Sequence, residues 1–305
     1  MRASNICKSN NKRGAVDVKK LLNECHKICK LIFENKKATI GLVMLIILAL
    51  VAIFAPVIAP YGYEEMQTGR NLDTPSWEHL MGTDNYGRDI FSRVVYGTRI
   101  SFGLSLLIMI ISFCFGVPLG LISGYFGGKI DSAINSLANT LLSFPWLLMA
   151  LTVTAITGPG VHVIIISLGI SNAPGLIRLV RSMTLTLRNR EFVDAAIVCG
   201  ESKRDILMRY IFPNTVAPVV VNCTLILSKA ILAEASISYL GYGTQPPTPS
   251  WGLMLSSSSN FIWTAPHMCI FPGIAIVLLV LAVNFFGDGL RDMLDPKYQG
   301  MVNDL

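Results

Sequence analysis

Six stretches of this chain are apolar for long enough to cross a lipid bilayer, and nothing else in the sequence confines the fold so tightly. They run from Ile40 to Ala59, about Ser101 to Tyr125, about Ile130 to Ile156, about Val161 to Val180, Thr215 to Tyr239 and His267 to Phe286. A helix needs about 20 apolar residues to span the hydrocarbon. Lipid offers no water to a free N–H or C=O, so each stretch must close its backbone bonds within itself, as a helix does. The expected fold is an all-α integral membrane protein with six transmembrane helices. Gly158-Pro159-Gly160 marks a tight turn between the third and fourth spans. A charged content of only 14% and a mean hydropathy of +0.55 agree with this reading.

The net charge of +6 invites a nucleic-acid partner, but the location of the charge argues against one. Ten of the 25 Lys and Arg precede Thr39, and seven more lie between Arg178 and Arg209. Basic residues beside spans mark cytoplasmic loops. With the N-terminus inside, the inner segments hold 20 Lys and Arg and the outer loops 4, leaving Lys229 within the fifth span. Both termini are therefore expected in the cytoplasm, with membrane lipid and not nucleic acid as the surroundings. Ahead of the first span, Val18, Leu21, Leu22, Cys25, Ile28, Ile32 and Phe33 recur at helical spacing, with Lys19, Lys20, Lys27 and Lys30 largely outside that stripe. Such a pattern predicts an amphipathic helix on the inner membrane surface.

The seven cysteines show no disulfide framework, and Cys25-His26-Lys-Ile-Cys29 lacks the second half of a metal site. Residues 1–39 are polar and the first apolar run is too long for a signal peptide. The chain divides into a basic N-terminus (1–39), a first span with an outer loop (40–100), a five-helix core (101–290) holding a cytoplasmic loop (182–213), and a tail (291–305).

That cytoplasmic loop is the most distinctive polar segment. Phe192, Ala195, Ala196 and Cys199 fall on neighbouring turns of a first short helix, which Gly200 ends with its unhindered backbone. Ser202 followed by Asp205 resembles a capping box opening a second helix, with Ile206, Leu207, Tyr210 and Ile211 as its apolar stripe. Pro213 is expected to permit a turn into the fifth span. Small Ala195 and Ala196 would let a partner groove approach the backbone closely.

The run Asp194-Ala-Ala-x3-Gly200-x9-Tyr210-x-Phe212-Pro213 resembles the EAA loop of ATP-binding-cassette (ABC) importer permeases, with Asp194 in place of the usual Glu. Met81-Gly-Thr-Asp-x2-Gly-Arg-Asp89, Leu232-Ala-Glu-Ala-Ser-Ile-Ser-Tyr-Leu-Gly241 and Phe286-Gly-Asp-Gly-Leu-Arg-Asp292 are similar to stretches of the oligopeptide/dipeptide/nickel permease family, in the second of its paired subunits. Together with Pro246-Pro-Thr-Pro-Ser-Trp251, the resemblance covers roughly residues 35 to 298. It implies an ABC importer type I permease fold in the inner membrane of a bacterial cell. It further implies a second homologous permease subunit, two cytoplasmic ATP-binding subunits and an extracytoplasmic substrate-binding protein. Peptides are the implied cargo, with nickel or another small solute as the alternative. The coupling role falls on Glu191, Asp194, Ala195, Ala196, Gly200 and Pro213.

Two ionisable residues lie within the fifth span. Lys229 and Glu234 stand about 140° apart around a helix, so they do not share a face. Charges at such depth cost about 2.5–3.5 kcal/mol on insertion scales and usually face a pore or a partner. Either the pair lines a translocation path, or it is structural; Glu234 suits the structural role and Lys229 suits both. Asp84, Arg88 and Asp89 in the first outer loop could receive a binding protein or hold the loop together. The outer segment Gly241 to Pro266 carries Gln245-Pro-Pro-Thr-Pro-Ser-Trp251, whose prolines forbid helix and favour an extended, rigid ledge. Ser112-x3-Gly116-x3-Gly120-x3-Gly124 forms a small-residue ridge for close helix packing.

Around Gly128-Lys129, position 123 is Ser and position 130 is Ile, so the phosphate-cradling Gly-x4-Gly-Lys-Ser/Thr loop is missing at both ends. No nucleophile elbow appears and the four histidines show no metal spacing. No enzymatic activity and no cofactor are expected, so energy must come from partners. An ion-coupled secondary transporter is the rival class, but such proteins usually show two related halves, and no repeat is visible.

Overall fold

The computed structural model describes residues 35–294. The expected amphipathic helix of the N-terminus and the tail from 295 onward lie outside the described residues. The elements in chain order are α1 (Lys36–Ile53), α2 (Ala55–Ile58), α3 (Ile90–Phe126), α4 (Gly128–Ser143), α5 (Trp146–Thr157), α6 (Val161–Arg188), α7 (Glu191–Val198) and α8 (Lys203–Asp205). A π-helical turn (Ile206–Ile211) joins α8 to α9 (Phe212–Tyr239); α10 (Trp251–Ser258), a 3-10 turn (Ser259–Phe261) and α11 (His267–Leu294) complete the chain.

Among the described residues, five helices are long and apolar enough to cross a membrane, and α4 with α5 supplies a sixth only if the bent pair counts as one span. The third span, expected from about Ile130 to Ile156, is bent: the chain turns by 87° between α4 and α5. Pro145 is the cause. A proline drives the residue before it out of the helical region, and Phe144 sits at φ −87°, ψ 121°.

The second and fourth spans outrun their apolar cores, whereas α1 ends at Ile53, short of the expected Ala59. The second was expected to begin near Ser101, yet α3 starts at Ile90, because the Asp89 side chain accepts a hydrogen bond from Ser92 N and caps the helix there. Its 37 residues measure about 55 Å, well beyond the ~30 Å of hydrocarbon. The α6 helix likewise runs on to Arg188, past the expected end of its span at Val180. In the segment before α11 the proline-rich stretch from Gln245 to Ser250 is not helical. Ser250 then caps Leu253 N and α10 follows.

The expected glycine ridge is the seam between α3 and α6. A Cβ at Gly116 would stand 2.8 Å from Leu176 Cβ, one at Gly120 2.7 Å from Val180 Cβ, and one at Gly124 2.6 Å from Thr184 Cβ. Such distances leave no room for a side chain. At the head of the ridge Ser112 Oγ donates to Gly169 O across the seam at 3.1 Å. Trp251, 1% exposed, pins α10 to the start of α3 by donating from Nε1 to Val94 O at 3.0 Å.

Candidate functional site: a sealed helical knob and two membrane charges

Three apolar clusters hold the bundle, and one of them reaches out of the spans into the α7 segment. It joins Val117 and Leu121 of α3 and Leu176 and Val180 of α6 to Val193 and Ala196 of α7 and to Ile206, Ile211 and Val219. Val193 is 0% and Ala196 4% exposed. The helix is therefore seated by one face, while Glu191, Asp194, Ala195, Ile197 and Val198 point away from the protein. Val198 is 87% exposed.

The far end of α7 is closed by backbone alone. Glu201 N–H donates to Ala196 O at 3.1 Å and Gly200 N–H to Ile197 O at 3.0 Å, the paired bonds of a Schellman motif. The motif needs a left-handed residue, and Gly200 supplies it at φ +80°. Ser202 then starts the return: its Oγ accepts from Asp205 N at 3.1 Å and donates to Asp205 Oδ2 at 2.6 Å.

Two details differ from expectation. Ala196, expected to meet a partner beside Ala195, is a core residue of this protein. Pro213, expected to turn the chain, instead lies in the first turn of α9 within one continuous helix from Lys203 to Tyr239. A proline in an ordinary helix clashes with the carbonyl four residues back. The π-helical turn before Pro213 widens the helix, and Phe212 N donates to Leu207 O, five residues back.

At the base of the knob stands a polar cluster that spacing alone could not reveal, since its members lie up to 58 positions apart. Arg181 Nε and Nη2 donate to the two carboxylate oxygens of Asp131, each at 2.6 Å. Asn135 Nδ2 donates to the same carboxylate at 2.6 Å, and Ser123 Oγ donates to it as well. The end of α3, the start of α4 and the last turns of α6 are thereby tied together.

The two charges of the fifth span separate as their 140° offset requires. Glu234 is 0% exposed and accepts from Ser238 Oγ at 2.9 Å. Lys229 faces outward from the bundle into a groove also lined by Trp146, Ser171, Asn172 and Ser236.

On the opposite side of the molecule, Asp84, Arg88 and Asp89 are all buried, at 5%, 6% and 1% exposure. Arg88 Nε donates to Asp84 Oδ2 at 2.7 Å, and Asp84 Oδ1 accepts from the Tyr86 and Arg88 amides. Asp89 holds Ser92 N at 2.7 Å and His79 Nδ1 at 3.0 Å. Their side chains brace the loop from inside. Its exposed tips are apolar, Trp77 at 98% and, in the neighbouring outer segment, Trp263 at 94%. Among the described residues no cluster of His, Cys, Asp and Glu could hold a metal ion.

The described residues thus form a bundle of long apolar helices with a compact helical knob sealed onto one end. Residues 116–300 match the model of the binding-protein-dependent transport system inner membrane component, and residues 29–75 match that of the N-terminal TM domain of oligopeptide transport permease C. The chain belongs to the family of binding-protein-dependent transport system inner membrane components. It is 44% identical over 264 residues to a dipeptide transport system permease protein DppC of Alkalihalophilus pseudofirmus, covering 87% of each chain. It is 42% identical over 276 residues to a glutathione transport system permease protein GsiD of Escherichia coli, covering 90% of this chain and 91% of that one. Among solved structures, an inward-facing MetNI methionine ABC transporter chain superposes with a TM-score of 0.55 at 18% identity, over 67% of this chain and 97% of that one; it shows the fold alone. The protein is thus a multi-pass, non-catalytic permease of an ABC transporter, which works in a complex with ATPase partners.

Proposed function

We propose that this chain forms half of a transmembrane pore that imports dipeptides or oligopeptides. A second homologous permease would supply the other half, two cytoplasmic ATP-binding subunits the energy, and an extracytoplasmic binding protein the cargo. Peptide cargo is favoured over nickel because the relatives are named for dipeptide and glutathione transport. The coupling contact is assigned to the outward face of α7, with Glu191, Asp194 and Ala195 meeting the ATPase. Ala196 anchors the knob to the core, Gly200 shapes its end, and Pro213 fixes where it joins α9.

One observation carries this reading: α7 is exposed along one face and fused by the other, through Val193 and Ala196, to helices that cross the membrane. A push on such a knob cannot be absorbed locally. It must move α3, α6 and α9 together, because close-packed interiors transmit displacement. Closure of the ATPases would then open the pore toward the binding protein. The sidedness follows the basic residues, with both termini cytoplasmic and the Trp77 and Trp263 loops outside.

The test is co-purification of the full chain in mild detergent, followed by uptake of a radiolabelled dipeptide into proteoliposomes that contain the whole complex, ATP and the binding protein. Recovery of two ATPases and a second permease with ATP-dependent uptake is expected. A complex that moves nickel chelates but no peptide would overturn the cargo assignment. A chain that purifies alone would overturn the coupling assignment.

A further inference from the structure

Lys229 is a cation without an acidic partner among the described residues, at a depth where a lone charge is costly. It lies 17 residues into α9, about 25 Å from the cytoplasmic end of that helix. Glu234, the nearest acid in the same helix, is buried on another face and held by Ser238. What Lys229 does face is a groove of about 330 Å³, within the size range of small-molecule sites. The bend at Phe144-Pro145 opens that groove by carrying α5 away from the line of α4, which leaves Trp146 as one wall.

The remaining lining is apolar at Leu168, Leu232 and Ala233 and polar at three side chains. Ser171 Oγ already donates to Ser167 O at 2.6 Å, and Ser236 Oγ to Leu232 O at 2.8 Å. Asn172 spends one amide hydrogen on Leu168 O at 2.8 Å. The valences left over are mostly lone pairs, two on hydroxyls and one set on the Asn172 carbonyl. An ammonium with three donors, set in a groove that also offers a few acceptors, suits a ligand carrying an anion next to N–H groups. A free peptide terminus has that pattern: a carboxylate, then amide and amino hydrogens within a few ångströms.

We infer that this groove between α5, α6 and α9 receives a zwitterionic peptide in transit, with Lys229 holding its C-terminal carboxylate and Ser171, Asn172 and Ser236 accepting from its N–H groups. The inference rests on the import of peptides proposed above and adds a selectivity site within the membrane. Passage then requires an ionised C-terminus, and a C-terminal amide crosses poorly even when the binding protein delivers it.

The experiment uses proteoliposomes of neutral phosphatidylcholine containing the whole complex. Uptake of one labelled dipeptide is compared with uptake of its C-terminal amide, for the unaltered complex and for Lys229→Met and Lys229→Arg. The binding protein is identical throughout, so a change in the acid-to-amide ratio belongs to the permease. Lys229→Met is expected to lower that ratio by about tenfold to a hundredfold, the scale of a hydrogen bond to a charged group. Lys229→Arg should keep most of it. An unchanged ratio in Lys229→Met overturns the site. Loss of the second permease from the Lys229→Met complex overturns it too, since the lysine would then be an interface residue. Absence of dipeptide uptake by the unaltered complex is the separate failure of the import reading.

Discussion

Ala195 and Ala196 are adjacent and chemically identical, yet their fates differ completely. Ala196 is 4% exposed inside a core cluster, whereas Ala195 looks outward. Enlarging each should separate docking from folding. Ala196→Leu forces extra volume into a packed site and should cost about 1–3 kcal/mol, read as a lowered melting temperature of the detergent-solubilised complex. Ala195→Leu should leave that melting temperature in place and cut ATPase recovery in co-purification; equal melting losses for the two variants would contradict the placement of α7. Gly200→Val belongs to the same scale. A β-branched residue at φ +80° costs roughly 1–2 kcal/mol, enough to distort the end of the knob, so ATP-driven uptake should fall while the chain still inserts. Intact uptake in that variant would count against mechanical coupling through α7. Sequence revealed that a short helix ends at Gly200, because a glycine after an apolar run has one cheap use there. It left both alanines as candidates for the contact, although Glu191 and Asp194, three positions apart, mark the outer face and Ala195, four after Glu191, falls beside them.

At the scale of whole elements, apolar length located the spans well, and prolines decided where the reading failed. Pro145 sits in the middle of an apolar run and breaks it, while Pro118, Pro174, Pro218 and Pro272 lie inside helices that continue. Hydropathy cannot separate these cases, because neighbouring helices and local widening decide whether the freed carbonyl is satisfied. Pro213 is the instructive one, absorbed by a π-helical turn that no composition rule marks. The bend at Pro145 sets α4 apart from α5, and α4 is tied to α6 through Asn139 Oδ1, which accepts from Arg178 Nη2 at 2.7 Å. Near its start it is tied through Asp131, which meets Arg181 with both side chains only part-buried. Removing that tether with Asp131→Asn should cost little globally, of order 1 kcal/mol or less for a solvent-screened pair. Locally it should show clearly: amide hydrogen exchange in α4 should quicken while α3 and α6 stay protected by their glycine seam. Unchanged exchange in α4 would mean that the ion pair does not hold it.

For the molecule as a whole, the decisive property is which end faces which compartment, and the proposed assignment rests on the basic residues. Extra Lys and Arg lie at the end that carries α7, and the braced loop of Asp84, Arg88 and Asp89 lies at the other. The two ends offer exposed positions suited to labelling, since Trp77 and Trp263 are 98% and 94% exposed and Val198 is 87% exposed. In a background with the native cysteines replaced by serine, Trp77→Cys and Trp263→Cys should react with a membrane-impermeant thiol reagent in intact cells. Val198→Cys should react only after the membrane is opened, and binding of the ATPases should then protect it, because Val198 belongs to the face of α7 assigned to them. Labelling of Val198→Cys from outside would invert the topology. It would also remove α7 from any reach of ATP. Labelling from inside without protection would keep the topology and move the docking surface elsewhere on the cytoplasmic end.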